Sequence, residues 1–184
     1  VKNPTDFQMS LAPSFVRKTA LEGYTFDERL INAYDTLVLN KILLKNKKYG
    51  LIGLKNNAIY YYRRRYLKNS LSYTVPTKKE FFTDKLKYFS KDLLDYSLSK
   101  ESSVPDFIKS IILYDLRFLV NQPELHEDLT NEEIKEFWDC FDDILELLDI
   151  DDILNQPFLY KNKKNFLIYL KNKSYYISRD DNSV

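Results

Sequence analysis

From Phe82 onward, apolar residues recur at helical spacing. Phe82, Leu86, Phe89, Leu93 and Tyr96 stand at i, i+4, i+7, i+11 and i+14, one face of a predicted helix running to about Ser99. Pro105 can open the next helix as its first residue, because a first-turn position needs no N–H. Ile108, Ile111, Ile112 and Phe118 carry that helix toward Asn121. Thr130-Asn131-Glu132-Glu133 has capping-box spacing, in which Thr accepts from one backbone N–H and Glu reaches back to another. Ile134, Phe137, Trp138, Phe141, Ile144, Leu145 and Leu148 follow as the best amphipathic pattern in the chain, and its aromatics are expected in the core. Before Phe82, Tyr34, Leu37, Val38, Ile42 and Leu44 predict a helix over about 31–45.

Other stretches read as extended. Residues 11–17 suggest a short strand or extended segment, followed by Gly23 and the turn-like Phe26-Asp27-Glu28. Residues 49–54 and 58–63 flank Lys55-Asn56-Asn57, a β-hairpin pattern because Asn tolerates left-handed backbone. Residues 166–170 and 174–178 flank Lys171-Asn172-Lys173 in the same way. The expected class is therefore α+β: a strand, helix and hairpin over 1–75, then a mainly helical domain with a terminal β-hairpin over 76–184. A lone hairpin is marginal in water, so the first one needs sheet partners that this stretch hardly supplies.

Composition narrows the picture. The 184 residues are 44% hydrophobic and 15% aromatic, with 3 Gly and 6 Pro, which describes a globular chain and excludes a disordered one. One cysteine, Cys140, excludes an internal disulfide, and with the single His126 it excludes a closed Cys/His zinc site; a reducing, cytoplasmic setting is expected. Apolar runs such as Ala58-Ile59-Tyr60-Tyr61-Tyr62 fall far short of the ~20 residues that span a bilayer. The net charge of +1 hides a segregation. Residues 41–91 carry 14 Lys and Arg against 2 acids, whereas 124–152 carry 13 acids against one Lys. A sequence pI of about 7.8 gives no general attraction for a polyanion, so no nucleic-acid partner is expected. The expectation is that the two charged stretches face one another across an interface.

Phe15-Val16-Arg17-Lys18, Phe26-Asp27-Glu28-Arg29-Leu30, Tyr34-Asp35-Thr36, Lys48-Tyr49-Gly50 and Tyr60-Tyr61-Tyr62-Arg63-Arg64-Arg65 with Ser70 behind it form an ordered set of short features. In that order they resemble the acceptor-side half of bacterial family 2 glycosyltransferases, inverting enzymes of the GT-A fold. The later Val104-Pro105-Asp106-Phe107-Ile108 and Tyr114-Asp115-Leu116-Arg117 resemble the helical tail of family members that make capsule and teichoic-acid polymers, often fused to CDP-glycerol glycerophosphotransferase modules. The resemblance runs from about Phe15 to Leu170 and rests on the order of several short features.

What it implies is specific. The family carries a Glu-Asp pair at the start of the helix after the Phe-Asp-Glu turn, and its Asp is the general base on the acceptor hydroxyl. Here Asp35 matches and Tyr34 replaces the Glu. A sugar hydroxyl attacks well only as its proton leaves, and a carboxylate within hydrogen-bond reach takes it; an Asp in a helix first turn also complements the macrodipole. Arg63 and Arg65 match a Tyr-Arg-x-Arg segment, and with Ser70 they would bind substrate, paired guanidinium bonds suiting a diphosphate. The same run could instead guard a strand edge or, with its tyrosines, stack on bases.

The family holds a divalent metal, Mg or Mn, on an Asp-x-Asp motif placed earlier. Asp149-Ile150-Asp151 has the letters but lies past the matched segments, where carboxylates cap a helix, so no metal site is expected in this stretch. The nucleotide-binding half would then lie upstream of Val1, and the chain, opening in mid-pattern, would be inactive alone. The expected parent moves a sugar from a nucleotide-sugar to a bacterial surface-polysaccharide acceptor, in the cytoplasm and peripheral to the inner face of the plasma membrane. Two rivals stand beside it: a non-catalytic helical interaction module of a polymer-biosynthesis protein, and part of a glycerophosphotransferase.

Overall fold

The computed structural model describes residues 10–45, 57, 59, 61 and 71–173. After a 3-10 turn at Lys18–Ala20, the helices are α1 (Tyr34–Lys45), α2 (Leu71–Thr74), α3 (Glu80–Asp84), a π-helical segment (Lys85–Lys91), α4 (Asp92–Leu98), α5 (Asp106–Val120), α6 (Asn131–Glu146), α7 (Ile150–Asn155) and α8 (Lys161–Asn172). No strand or sheet occurs among the described residues. This overturns the α+β expectation and with it the truncated GT-A-like strand segment. Residues 11–17 make a turn closed by Ser14 N–H on the Leu11 carbonyl, then open coil without a strand partner. The first hairpin, 49–54 and 58–63, lies almost wholly outside the described residues.

The terminal hairpin is also corrected. Its first arm, 166–170, lies inside α8, where Leu167 and Ile168 are fully buried and Phe166 and Tyr169 are exposed. Five apolar residues in a row do not distinguish strand from helix. Neighbours decide the matter: Lys164 and Lys171 of α8 donate to the Leu154 and Leu145 carbonyls near the ends of α7 and α6, the second of which also accepts from Leu148 N–H. The second arm, 174–178, lies outside the described residues.

The continuous helical run of α3, the π segment and α4 forms the centre. Its buried side chains fall in two columns, Phe81, Lys85, Phe89, Leu93 and Ser97 beside Phe82, Leu86, Ser90 and Leu94. Each column repeats every fourth residue. An α-helix of 3.6 residues per turn would rotate such columns off the core face, and the wider i→i+5 turns of the π segment hold them in register. Around this rod, α1 packs on α4, α5 on α4, α6 on α3 and the π segment, α7 on α5, and α8 on both α6 and α7. Leu37, Leu44, Phe89, Ile112, Phe141, Leu148 and Leu167 belong to one continuous core.

Helix ends follow local chemistry. Thr130 Oγ1 accepts from Glu133 N–H at 3.2 Å while the Glu133 carboxylate accepts from Thr130 N–H at 2.9 Å, completing the capping box that opens α6. Pro105 serves as the residue before α5 instead of its first one. α8 ends at Lys173 in the left-handed region, with φ 52°.

A charged pair sits inside the core. Lys85 Nζ lies 3.0 Å from Asp115 Oδ1, with side chains 2% and 3% exposed. The ammonium also stands 4.8 Å and 5.0 Å from the ring centroids of Phe81 and Phe118, taking cation–π attraction where water is excluded. Burial drives the Asp115 carboxyl above the ordinary carboxylate range, against the pull of Lys85 and Arg117. Asp115→Asn should destabilise the fold by about 3–5 kcal/mol in urea unfolding, because it strands a buried ammonium. Lys85→Met combined with Asp115→Leu should recover the wild-type midpoint or exceed it.

Trp138 corrects the expectation of a buried aromatic stripe. It remains 37% exposed, packed edge-on to Phe137 and Phe141, whereas Phe141 is 1% exposed. Phe141→Ala should cost about 3–5 kcal/mol. Trp138→Ala should cost less than half as much in the same unfolding titration, since part of its surface never left water.

Candidate functional site

Of the residues to which the resemblance assigns chemistry, Asp35 lies within the described structure, where the N-terminal turn meets α1. Ala33, just before α1, takes a positive φ of 62°, an arrangement costing about 1–2 kcal/mol for a residue with a Cβ. It turns the chain so that Tyr34 and Asp35 open the helix. The Asp35 carboxylate accepts from Ser10 Oγ at 3.0 Å and Leu11 N–H at 3.1 Å on Oδ2, and from Thr36 N–H at 2.9 Å on Oδ1. It is half-buried and ties the 10–14 turn to α1. Arg63, Arg65 and Ser70 lie outside the described residues.

Beside this helix start lies a cleft of about 530 Å³ between the 23–29 loop, α1 and α4. Gly23 has φ 81°, a left-handed turn that glycine adopts without strain, and it lets the loop double back over α1. Asp27 accepts from Arg29 Nε at 2.9 Å, from an Arg29 terminal nitrogen at 2.6 Å and from Arg29 N–H at 3.0 Å. This fork holds the Asp27 carboxyl below the ordinary carboxylate range. Arg29 is pinned in turn by stacking 3.9 Å over the Tyr88 ring. On the opposite wall Lys41 of α1 pairs with Asp92 of α4.

Tyrosines close the cleft. Tyr24 Oη lies 3.3 Å from the Lys41 carbonyl and 3.2 Å from Tyr96 Oη. A carbonyl only accepts, so Tyr24 donates to it, and Tyr96 then donates to Tyr24. Burial and this contact push the Tyr24 phenol above its ordinary value. Phe26 also lines the cleft, 52% exposed, and packs edge-on to Tyr34 at 5.7 Å, next to Asp35 in sequence.

Elsewhere the candidates are structural. Among the described residues no group of three or more His, Cys, Asp and Glu side chains could hold a metal ion. Asp149 binds Lys109 at 2.6 Å, and Asp152 reaches back to Asp149 N–H at 2.8 Å, so these acids serve the start of α7. His126 accepts from Asp128 N–H on Nδ1, which leaves Nε2 to donate to the Thr77 carbonyl at 3.2 Å. Burial raises the Cys140 thiol pKa, a condition opposite to that of a reactive thiolate. Sequence reasoning missed the cleft, because its walls come from three segments up to about 70 residues apart. The turn-like Phe26-Asp27-Glu28 was the only signal that could have pointed to it.

The two charged stretches meet across the fold. Lys79 pairs with Glu133 at 2.8 Å, and Lys91 of the π segment pairs with Asp143 of α6. Lys109 adds Asp149 and Asp152 at 2.6 Å and 2.9 Å. Lysine partners lower the Glu133 and Asp149 carboxyl pKa values, Lys79 and Lys109 being the main causes.

The chain is similar to two curated proteins of Bacillus subtilis (strain 168). It is 29% identical to the minor teichoic acid biosynthesis protein GgaB over 169 residues, which is 91% of this chain and 18% of GgaB. It is 28% identical to the minor teichoic acid biosynthesis protein GgaA over 150 residues, 79% of this chain and 33% of GgaA. The chain thus spans between about a fifth and a third of the length of these relatives. No family model and no solved structure matches it. Among the described residues no helix is long and apolar enough to cross a membrane.

Carboxyl groups with lowered folded-state pKa contribute stability above their unfolded pKa and lose it as pH falls through the folded one. Thermal unfolding should therefore shift to lower temperature as pH drops below about 4, the ordinary carboxylate range. Glu133→Gln should flatten part of that slope.

Proposed function

We propose that this chain is the acceptor-side portion of an enzyme of bacterial surface-polymer synthesis, one that transfers a sugar from a nucleotide-sugar to a teichoic-acid-type acceptor. The observation that carries this reading is the similarity to GgaB, a minor teichoic acid biosynthesis protein that aligns with nearly the whole chain. Similarity to GgaA, also a minor teichoic acid biosynthesis protein, supports it. The order of short features around Asp35 supplies the finer assignment to sugar transfer.

In this reading Asp35 takes the proton of the attacking acceptor hydroxyl. Its bonds to Ser10, Leu11 and Thr36 fix the carboxylate in position. Arg63, Arg65 and Ser70 would contact the donor's diphosphate or the acceptor. The donor site and its divalent metal would be supplied by residues outside this chain, which alone would then be inactive.

One observation favours a second reading. Each oxygen of Asp35 already receives a hydrogen bond from its own chain, as a residue fastening the N-terminal turn to α1 would. On that view the helices form a non-catalytic interaction module of a polymer-synthesis protein.

Asp35→Asn in the full-length parent separates the two. If Asp35 is the base, turnover of nucleotide-sugar should fall by about 10²–10⁴-fold with donor affinity nearly constant. A wild-type rate in the folded variant would transfer the assignment to the interaction module.

A further inference from the structure

We propose that the cleft between the 23–29 loop, α1 and α4 binds a neutral, hydroxyl-rich ring, the sugar of a glycan, and not the phosphate of a nucleotide. The charge pattern is the first argument. Asp27, Glu28 and Asp92 line the cleft with Arg29 and Lys41, a net charge of −1. Both cations are already committed, Arg29 to Asp27 and Lys41 to Asp92. A phosphate entering here would have to break an ion pair and face the released carboxylate. A sugar breaks neither pair: its hydroxyls donate to carboxylate oxygens and accept from N–H and O–H groups already held in place.

The aromatic lining is the second argument. Ammonium groups already lie over the rings of Tyr96 and Tyr24, Lys41 and Lys100 at 5.3 Å and 5.2 Å from the first, and Lys45 at 5.3 Å from the second. Among the described residues no cation covers Phe26, which is 52% exposed and braced by Tyr34. An exposed, buttressed ring beside fixed carboxylates suits a sugar, which presents C–H groups on its faces and O–H groups at its edges. The Tyr96 hydroxyl, whose O–H donates to Tyr24, keeps its oxygen free to accept at the cleft. The volume of about 530 Å³ admits one or two sugar rings.

The neighbourhood links this cleft to Asp35. Phe26 packs on Tyr34, the residue before Asp35, and Leu37, Val38 and Lys41 of the same helix line the cleft. The inference deepens the proposed function by giving the acceptor's sugar a place, and it rests on that reading only for the word acceptor.

The test is a binding titration on this 184-residue chain, followed residue by residue in ¹H–¹⁵N NMR spectra. Glucose, galactose, N-acetylglucosamine and N-acetylgalactosamine would be added separately, with UDP and inorganic phosphate as anionic probes. At least one sugar should give saturable shifts in the millimolar range around Phe26, Asp27 and Tyr96. Phe26→Ala, a change at an exposed position, should weaken that binding about tenfold, and Tyr96→Phe should weaken it while leaving the ring in place. The spectrum away from the cleft reports that each variant is folded. Four sugars without a saturable response in the cleft, an unchanged affinity in Phe26→Ala, or shifts there with UDP or phosphate alone would each overturn the proposal. No donor and no turnover enter the measurement, so an inactive parent would leave a positive result standing, and a failed titration would leave the transfer reading intact.

Discussion

The run from Glu80 to Leu98 has to bury two columns of side chains at once, and the rest of the fold is arranged around that requirement. Both columns repeat every four residues, a spacing that neither a pure α-helix nor a pure π-helix keeps in line. Combining the two gives the required average. The rod can then be covered by α1 and α5 along α4 and by α6 along its first two-thirds. Its wide buried surface also forces polar residues inside, and Lys85 on the rod meets Asp115 on α5. That pair fixes how α5 sits, because an ammonium away from water has few acceptable partners.

Charge acts one layer further out. Lysines just before and on the central rod, Lys79 and Lys91, and Lys109 of α5 point to acids at the start and along the outer side of α6 and at the start of α7. Exposed pairs of this kind stabilise little individually, typically below about 1 kcal/mol. Their larger effect is to reject other registers, since sliding α6 along the rod would place like charges together. The near-neutral whole-chain balance reflects this internal matching.

The N-terminal loop shows how a site arises beside such a rod. Left-handed backbone at Gly23 and Ala33 folds the loop back over α1, and the Asp27–Arg29 fork holds its tip against Tyr88. The result is a polar cleft with an aromatic wall next to the start of α1. Asp35 is thereby both a fastening point for the 10–14 turn and the carboxylate nearest in sequence to the cleft's aromatic brace.

The sequence by itself determined the helices whose patterns are long and capped. α5 and α6 lie within a residue or two of their predicted limits, since Pro105 and the Thr130–Glu133 box act through local backbone chemistry alone. It also marked Asp35 at a helix start and foresaw the opposed charges. Tertiary structure decided the rest. Residues 166–170 carry an apolar run equally fit for strand or helix, and only α6 and α7, whose end carbonyls Lys164 and Lys171 reach, make it helical. Trp138 shares a periodic stripe with Phe141, yet the stripe is wider than the contact, so one ring is covered and the other stays half in water. The cleft joins residues far apart in the chain, and no local pattern encodes a site whose walls come from three separate segments.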